Sequence, residues 1–160
     1  MRYFEHDILI HCPPQIVYQH LAQPKNLMGL QPLLTAVKIL EETTDANGVA
    51  TCQFDSVETF RIGKLPIYNN RIHVTGRQTK PFEEMEYFVR SFPNIRIRFL
   101  YTFREENAAT RLTQQVNILR VNPLLGNFVF KEARHVQQIV LARLKERLEG
   151  LSHPQKHNFT

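Results

Sequence analysis

NPLLGNFVFKEARHVQQIVLARLKERLEG, residues 122–150, is the stretch whose reading decides the fold. Asn122 is a favoured N-cap, because its side chain accepts a bond from a backbone N–H that the first helical turn leaves unpaired. Pro123 suits the first helical position, where its missing N–H costs nothing. Leu125, Val129, Ala133, Val136, Val140, Leu144 and Leu148 then recur at helical spacing. Lys131, Arg134, Arg143, Lys145 and Arg147 fall largely off that stripe. Lys145 and Arg147 also stand near the negative end of the helix dipole. Gly150 is the residue expected just past the helix end. The pattern predicts one helix over 124–149, about 40 Å long at 1.5 Å per residue. A rod of that length needs a large partner surface.

Upstream of it the chain reads mostly as strands. Residues 2–11 alternate, with Phe4, Ile8 and Ile10 on one face. Pro13–Pro14 start a short helix with Ile16, Val17 and Leu21 on its apolar side, ended by Pro24. Asn26 suits the cap of a second short helix through Leu30, closed before Pro32. A meander follows: Leu33–Glu41, Val49–Ile62, Leu65–Gln78, Phe82–Phe92, Ile95–Arg104 and Ala109–Val121. The breaks fall at Asp45-Ala46-Asn47-Gly48, Gly63, Lys80–Pro81, Pro93–Asn94 and Glu105–Ala108. Asn-Gly tolerates the positive φ of a tight hairpin, and strands joined by short turns run antiparallel. The expected fold is α+β: a helix grip, β-α-α-β6-α, with a seven-stranded curved antiparallel sheet around a long C-terminal helix.

Length and composition fit this. The 160 residues suggest a single domain over 1–151 with a polar C-terminal tail at 152–160. Hydrophobic content of 42% and charged content of 22% are ordinary for a globular chain. The net charge of +5 allows peripheral contact with an anionic membrane surface. No apolar run approaches the ~20 residues of a transmembrane helix. Glu5, His6 and Asp7 interrupt the first apolar stretch, which excludes a signal peptide there. Cys12 and Cys52 form no paired motif, so free thiols in a reducing, cytoplasmic setting are expected. Asn158-Phe159-Thr160 matches the glycosylation tripeptide and is taken as chance.

The string Ile10-His11-Cys12-Pro13-Pro14-Gln15-Ile16-Val17-Tyr18 resembles the opening of the START-related, birch-allergen-like superfamily, also described as polyketide cyclase/dehydrase-like (SRPBCC). Cys12 stands at its small position, Pro13 at its proline, and Val17–Tyr18 at its apolar–aromatic pair. Pro32, followed by Val37-Lys38-Ile39-Leu40, resembles its proline and second strand. Tyr18 replaces a more usual Trp. The resemblance spans the whole element order and implies a cavity between the sheet and the last helix.

Alternation then nominates wall residues. Tyr68, Asn70 and Ile72 share one face, as do Gln114 and Val116, and the aromatic run Ile97, Phe99 and Tyr101 forms another. Leu125, Val129, Val136 and Val140 supply the helix side. Asn70 and Gln114 either orient a ligand or bond to neighbours, because an unpaired buried amide is costly. Arg96, Arg98 and Arg104 fall outside. Glu83, Glu84 and Glu86 lie on a strand whose facing depends on the next loop. A two-residue turn points Glu86 inward, whereas a three-residue loop points Met85, Tyr87 and Val89 inward. The acids are expected outside.

His6 shares the face of Phe4 and Ile8 and is a candidate cavity base; His73 and His135 read as packing residues. No metal-ligand spacing, nucleotide loop or nucleic-acid motif is present, so no metal, no cofactor and no nucleic-acid partner are expected. Catalytic residues and oligomeric state are not legible. Three functions compete. The first is a binder of a small apolar or amphipathic molecule (lipid, isoprenoid or polyketide-like). The second is a cyclase/dehydrase-type enzyme using Tyr101, Gln114 or His6, and the third is an interaction module with a filled core.

Overall fold

The computed structural model of this protein describes residues 2–152. Its elements are β1 (Arg2–Ile10), α1 (Pro14–Ala22), a 3-10 turn (Pro24–Leu27), β2 (Leu34–Thr44), β3 (Ala50–Ile62), β4 (Leu65–Lys80), β5 (Glu84–Ser91), β6 (Ile95–Glu106), β7 (Ala109–Arg120) and α2 (Gly126–Ser152). The strands form one seven-stranded sheet in the order β1-β7-β6-β5-β4-β3-β2. Every pairing is antiparallel. Register shifts interrupt the ladders at Ile39/Glu41, Phe60/Arg61 and Arg77/Lys80, and such irregularities bend a strand. The expected helix grip is the observed architecture.

The helices depart from expectation at their ends. Asn122 does use its side chain, accepting from the Leu124 N–H at 2.9 Å. That bond closes a separate turn over 122–125, and α2 begins only at Gly126. Gly150 does not stop the helix, which continues to Ser152. The rest of the expected tail, 153–160, lies outside the described residues. Pro24 opens a 3-10 turn rather than merely ending α1, and Asn26 is no cap: its Nδ2 donates back to the His20 carbonyl at 3.0 Å. Ile16 faces outward, while Val17, Tyr18 and Leu21 pack on the sheet.

The apolar stripe of α2 divides in two. Val140, Leu141, Leu144 and Leu148 are buried in the core with Ile10, Val17, Leu21 and Leu112. Polar bonds fix this half in place. Lys145 Nζ donates to the Leu9 carbonyl at 2.6 Å, and Glu149 accepts from the His11 N–H at 3.0 Å. Arg147 reaches the carbonyls of Asn26 at 2.6 Å and Met28 at 2.8 Å. Nearer the start of α2, Phe130 meets Phe4 of β1 edge-to-face at 5.6 Å between ring centroids. The rod therefore lies along β1, at one margin of the sheet.

Gly76 on β4 makes room for Tyr87 on β5: an added Cβ would stand 2.5 Å from the Tyr87 ring. That ring cannot retreat, because its hydroxyl donates to the Leu21 carbonyl at 2.5 Å and burial surrounds it. A strand glycine facing a close neighbour is the usual sign of such packing. Gly76→Ala should cost about 1–3 kcal/mol through overpacking, measured by urea denaturation; a change below about 0.5 kcal/mol would contradict the fit.

Candidate functional site

Because α2 rests on β1, the concave face of β3–β6 is left partly uncovered. A cavity of about 590 Å³ lies there, within the ~300–1,000 Å³ range of small-molecule sites. Its floor includes Phe54, Ile72, Val74, Val89, Ile97, Phe99 and Tyr101, and its roof Leu125, Val129, Ala133, Val136 and Val140. Leu27, Gln31, Leu33 and Leu34 close one side. Of the residues nominated by alternation, Tyr68, Asn70, Ile72, Ile97, Phe99, Tyr101, Leu125, Val129, Val136 and Val140 stand on this wall.

Gln114 and Val116 do not. They are fully buried on β7, behind the wall, because the rod covers the β1–β7 margin directly and leaves no space there. Gln114 Nε2 donates to the Tyr101 hydroxyl at 2.9 Å and to Gln137 Oε1 at 2.7 Å. It holds two wall residues in place rather than facing the hollow. His6 is also outside the cavity. Its ring packs on Phe4 at 5.2 Å between centroids, and its Nε2 donates to the Arg134 carbonyl at 3.3 Å. Burial lowers its pKa.

The acids of β5 face outward, as expected. The loop over 92–94 spans three residues, pairing Ser91 with Ile95 and Met85 with Tyr101. Met85 and Tyr87 are buried, Glu86 pairs with Arg98, and Glu84 accepts from Thr79 Oγ1 at 2.9 Å. His73 lies on the outer face, 2.9 Å from Asp55.

Sequence reading missed the most polar part of the wall. Glu58 on β3 faces the cavity and accepts from Gln31 Nε2, whose own amide oxygen accepts from the Leu33 N–H at 2.6 Å. Burial raises the Glu58 carboxyl from its ordinary 4.5 to about 7. Asn70 lies directly opposite Glu58 across the β3–β4 ladder. Its Nδ2 donates to Ser91 Oγ at 3.2 Å, and its Oδ1 is buried without a partner. The alternation Phe54, Ser56, Glu58, Phe60 was the available signal. It was masked by the apolar Val57 on the opposite face.

One end of the cavity is rimmed by exposed apolar side chains. Phe60 and Tyr68 come from β3 and β4, Phe92 from the loop after β5, and Leu125 and Phe128 from the start of α2. Leu124, 91% exposed, precedes Leu125 in sequence, and Ile62, Leu65 and Ile67 are exposed at the β3–β4 tip. The loop after β5 stands on the cavity wall through Phe92 and Pro93, whereas the β3–β4 tip at Gly63 does not line it.

A curved seven-stranded sheet, a long terminal helix along one margin and an apolar hollow between them form a known architecture. It is a helix grip. This helix grip aligns over 97% of its chain with 98% of the Zhui aromatase/cyclase from Streptomyces sp. R1128, at TM-score 0.72 and 14% identity. It aligns over 96% with 48% of the di-domain ARO/CYC BexL from the BE-7585A biosynthetic pathway, at TM-score 0.71 and 19% identity. Ara h 8.0201 aligns over 97% of its length with 89% of this chain, at TM-score 0.60 and 10% identity. No protein-family model matches the sequence, and no curated protein matches it. Likeness at these identities speaks for the fold alone. No helix among the described residues is long and apolar enough to cross a membrane.

Glu58 makes stability depend on pH. The native carboxyl keeps its proton up to about pH 7, whereas the unfolded one releases it near 4.5. Folding therefore binds a proton in that window, and the Glu58 contribution falls as pH rises through it, by on the order of 2–3 kcal/mol. His6 and His20, both lowered by burial, act oppositely as pH falls below 6.5. The difference between wild type and Glu58→Gln isolates the carboxyl. In urea unfolding the variant should gain on wild type by about 2 kcal/mol between pH 4.5 and 8; a pH-independent difference would contradict a desolvated carboxyl.

Proposed function

We propose that this protein binds a small apolar or amphipathic molecule, of lipid, isoprenoid or polyketide-like character, between α2 and the inner face of β3–β6. The observation that carries this reading is the cavity of about 590 Å³, apolar on floor and roof and open through an apolar rim. Burying a ligand there contributes about 25 cal/mol per Å² of apolar surface before ordering costs. A filled-core interaction module fits less well, since its interior would lie below the ~300 Å³ of typical ligand sites.

A cyclase-type enzyme is the second reading, and Glu58 is the observation that favours it. A carboxyl pushed to about 7 can hold or release a proton at neutral pH. Of the three residues expected to assist such chemistry, Gln114 lies buried behind the wall, His6 stands off it, and burial keeps the Tyr101 hydroxyl protonated up to about 12. Binding therefore accounts for more of the wall than catalysis does.

Access follows from the division of α2. Its later half is bonded to Leu9, His11 and the 26–28 segment and buried in the core, while its first half is held to the sheet by side-chain bonds from Arg2, His6 and Gln114 and otherwise lies on apolar contacts over the cavity. Ligand should raise amide-exchange protection over 126–136 more than over 140–148; equal protection with and without ligand would contradict this route. Native mass spectrometry of protein purified without detergent should show a bound small molecule or uptake of an added one. Val136→Trp, which fills the roof, should lower affinity about tenfold, or roughly 1.4 kcal/mol. Unchanged affinity would remove the cavity as the binding place.

A further inference from the structure

The charge of the cavity wall is opposite to that of the chain. The protein carries 20 Lys and Arg residues against 15 Asp and Glu, yet among the described residues no Lys, Arg or His stands on the wall. Its ionisable acids there are Glu58 and, from the helix side, Glu132. No described cation pairs with Glu58, whose one protein partner is the amide of Gln31. A buried carboxylate without a counter-charge is costly, so this carboxyl keeps its proton up to about pH 7 unless a cation pairs with it.

Beside it, Asn70 offers a second acceptor whose orientation is fixed by its neighbours. Ser91 Oγ donates its single proton to the Phe92 carbonyl at 3.1 Å. It can then only accept, so it draws the Asn70 Nδ2 toward itself at 3.2 Å. The Asn70 Oδ1 is left buried without a donor. Glu58 and Asn70 are direct partners across β3 and β4, and both stand on the cavity wall. Glu58, served by Gln31 alone and without a counter-charge, and Asn70 Oδ1, without a donor among the described residues, together select a ligand head that brings protons and positive charge.

We infer that the ligand of this cavity carries a protonated amine on an apolar body, with its nitrogen held between the Glu58 carboxylate and the Asn70 Oδ1. This rests on the proposed binding function and deepens it. An ammonium supplies the missing counter-charge and donates to both oxygens, and hydrogen bonds to charged groups are roughly twice as strong as neutral ones. A carboxylate head would meet repulsion from Glu58. An alcohol brings one proton and no charge, so it satisfies one acceptor and gives Glu58 no counter-charge.

Decylamine, decan-1-ol and decanoic acid share one apolar chain and differ only in the head. By calorimetric titration at neutral pH, decylamine should bind about tenfold or more tighter than decan-1-ol, with decanoic acid weakest. Glu58→Gln, checked for cooperative unfolding, should bring the amine-to-alcohol ratio close to one, and Asn70→Leu should narrow it. Chains that bind wild type without preference for the amine, or a preference that survives Glu58→Gln, would overturn the amine assignment while leaving a ligand cavity standing. Failure of all three chains to bind would overturn the cavity reading, and this inference with it.

Discussion

The structure depends on where α2 is fastened. Lys145, Arg147 and Glu149 bond to backbone groups of β1, the segment after it and the 26–28 loop, and Leu141, Leu144 and Leu148 are buried beside them. A straight rod fastened at one margin of a curved sheet cannot also follow the sheet's concavity. The space between rod and sheet has to be filled by large side chains or left open. Here the roof positions hold Val129, Ala133 and Val136, too small to reach the opposite strands, so it stays open.

That space is not uniformly apolar, and its polar groups fall into two tiers. Gln114, behind the wall, bonds through its amide nitrogen to Tyr101 and Gln137, which makes it a buried brace for the β6–β7 side, although its Oε1, like Asn70 Oδ1, is buried without a partner among the described residues. Gln31 donates to Glu58, and separately Asn70 donates to Ser91, which donates to the Phe92 carbonyl, with Asn70 Oδ1 left over. Leaving a buried acceptor unmet costs on the order of 1–3 kcal/mol, and burial of Glu58 adds to that. A ligand that meets both acceptors would offset both costs.

Much of the fold was legible because it rests on period and punctuation. The alternation of Ile95 to Phe103 and the stripe from Leu125 to Leu148 identify faces, and the prolines and Asn-Gly mark the breaks. Facing on β5 was not legible, since it depends on whether the 92–94 loop has two or three residues. Depth was not legible either: Gln114 and Tyr101 share the inner face, yet only Tyr101 reaches the hollow, because the rod's position over β1 is a tertiary fact. The Gln31–Glu58 contact joins residues from separate elements. No local pattern predicts such a pair, and without it Glu58 is one more acid in a mixed strand.

The central claim is that the fastened rod leaves a hollow above β3–β6. A crystal structure of the protein purified without detergent and soaked in an apolar halogenated alkane tests it most directly. The account predicts anomalous signal from the halogen between Val129 and Val136 of α2 and Ile97 and Phe99 of β6. An interior closed by the helix, with less than ~300 Å³ remaining and no halogen bound there, would contradict it.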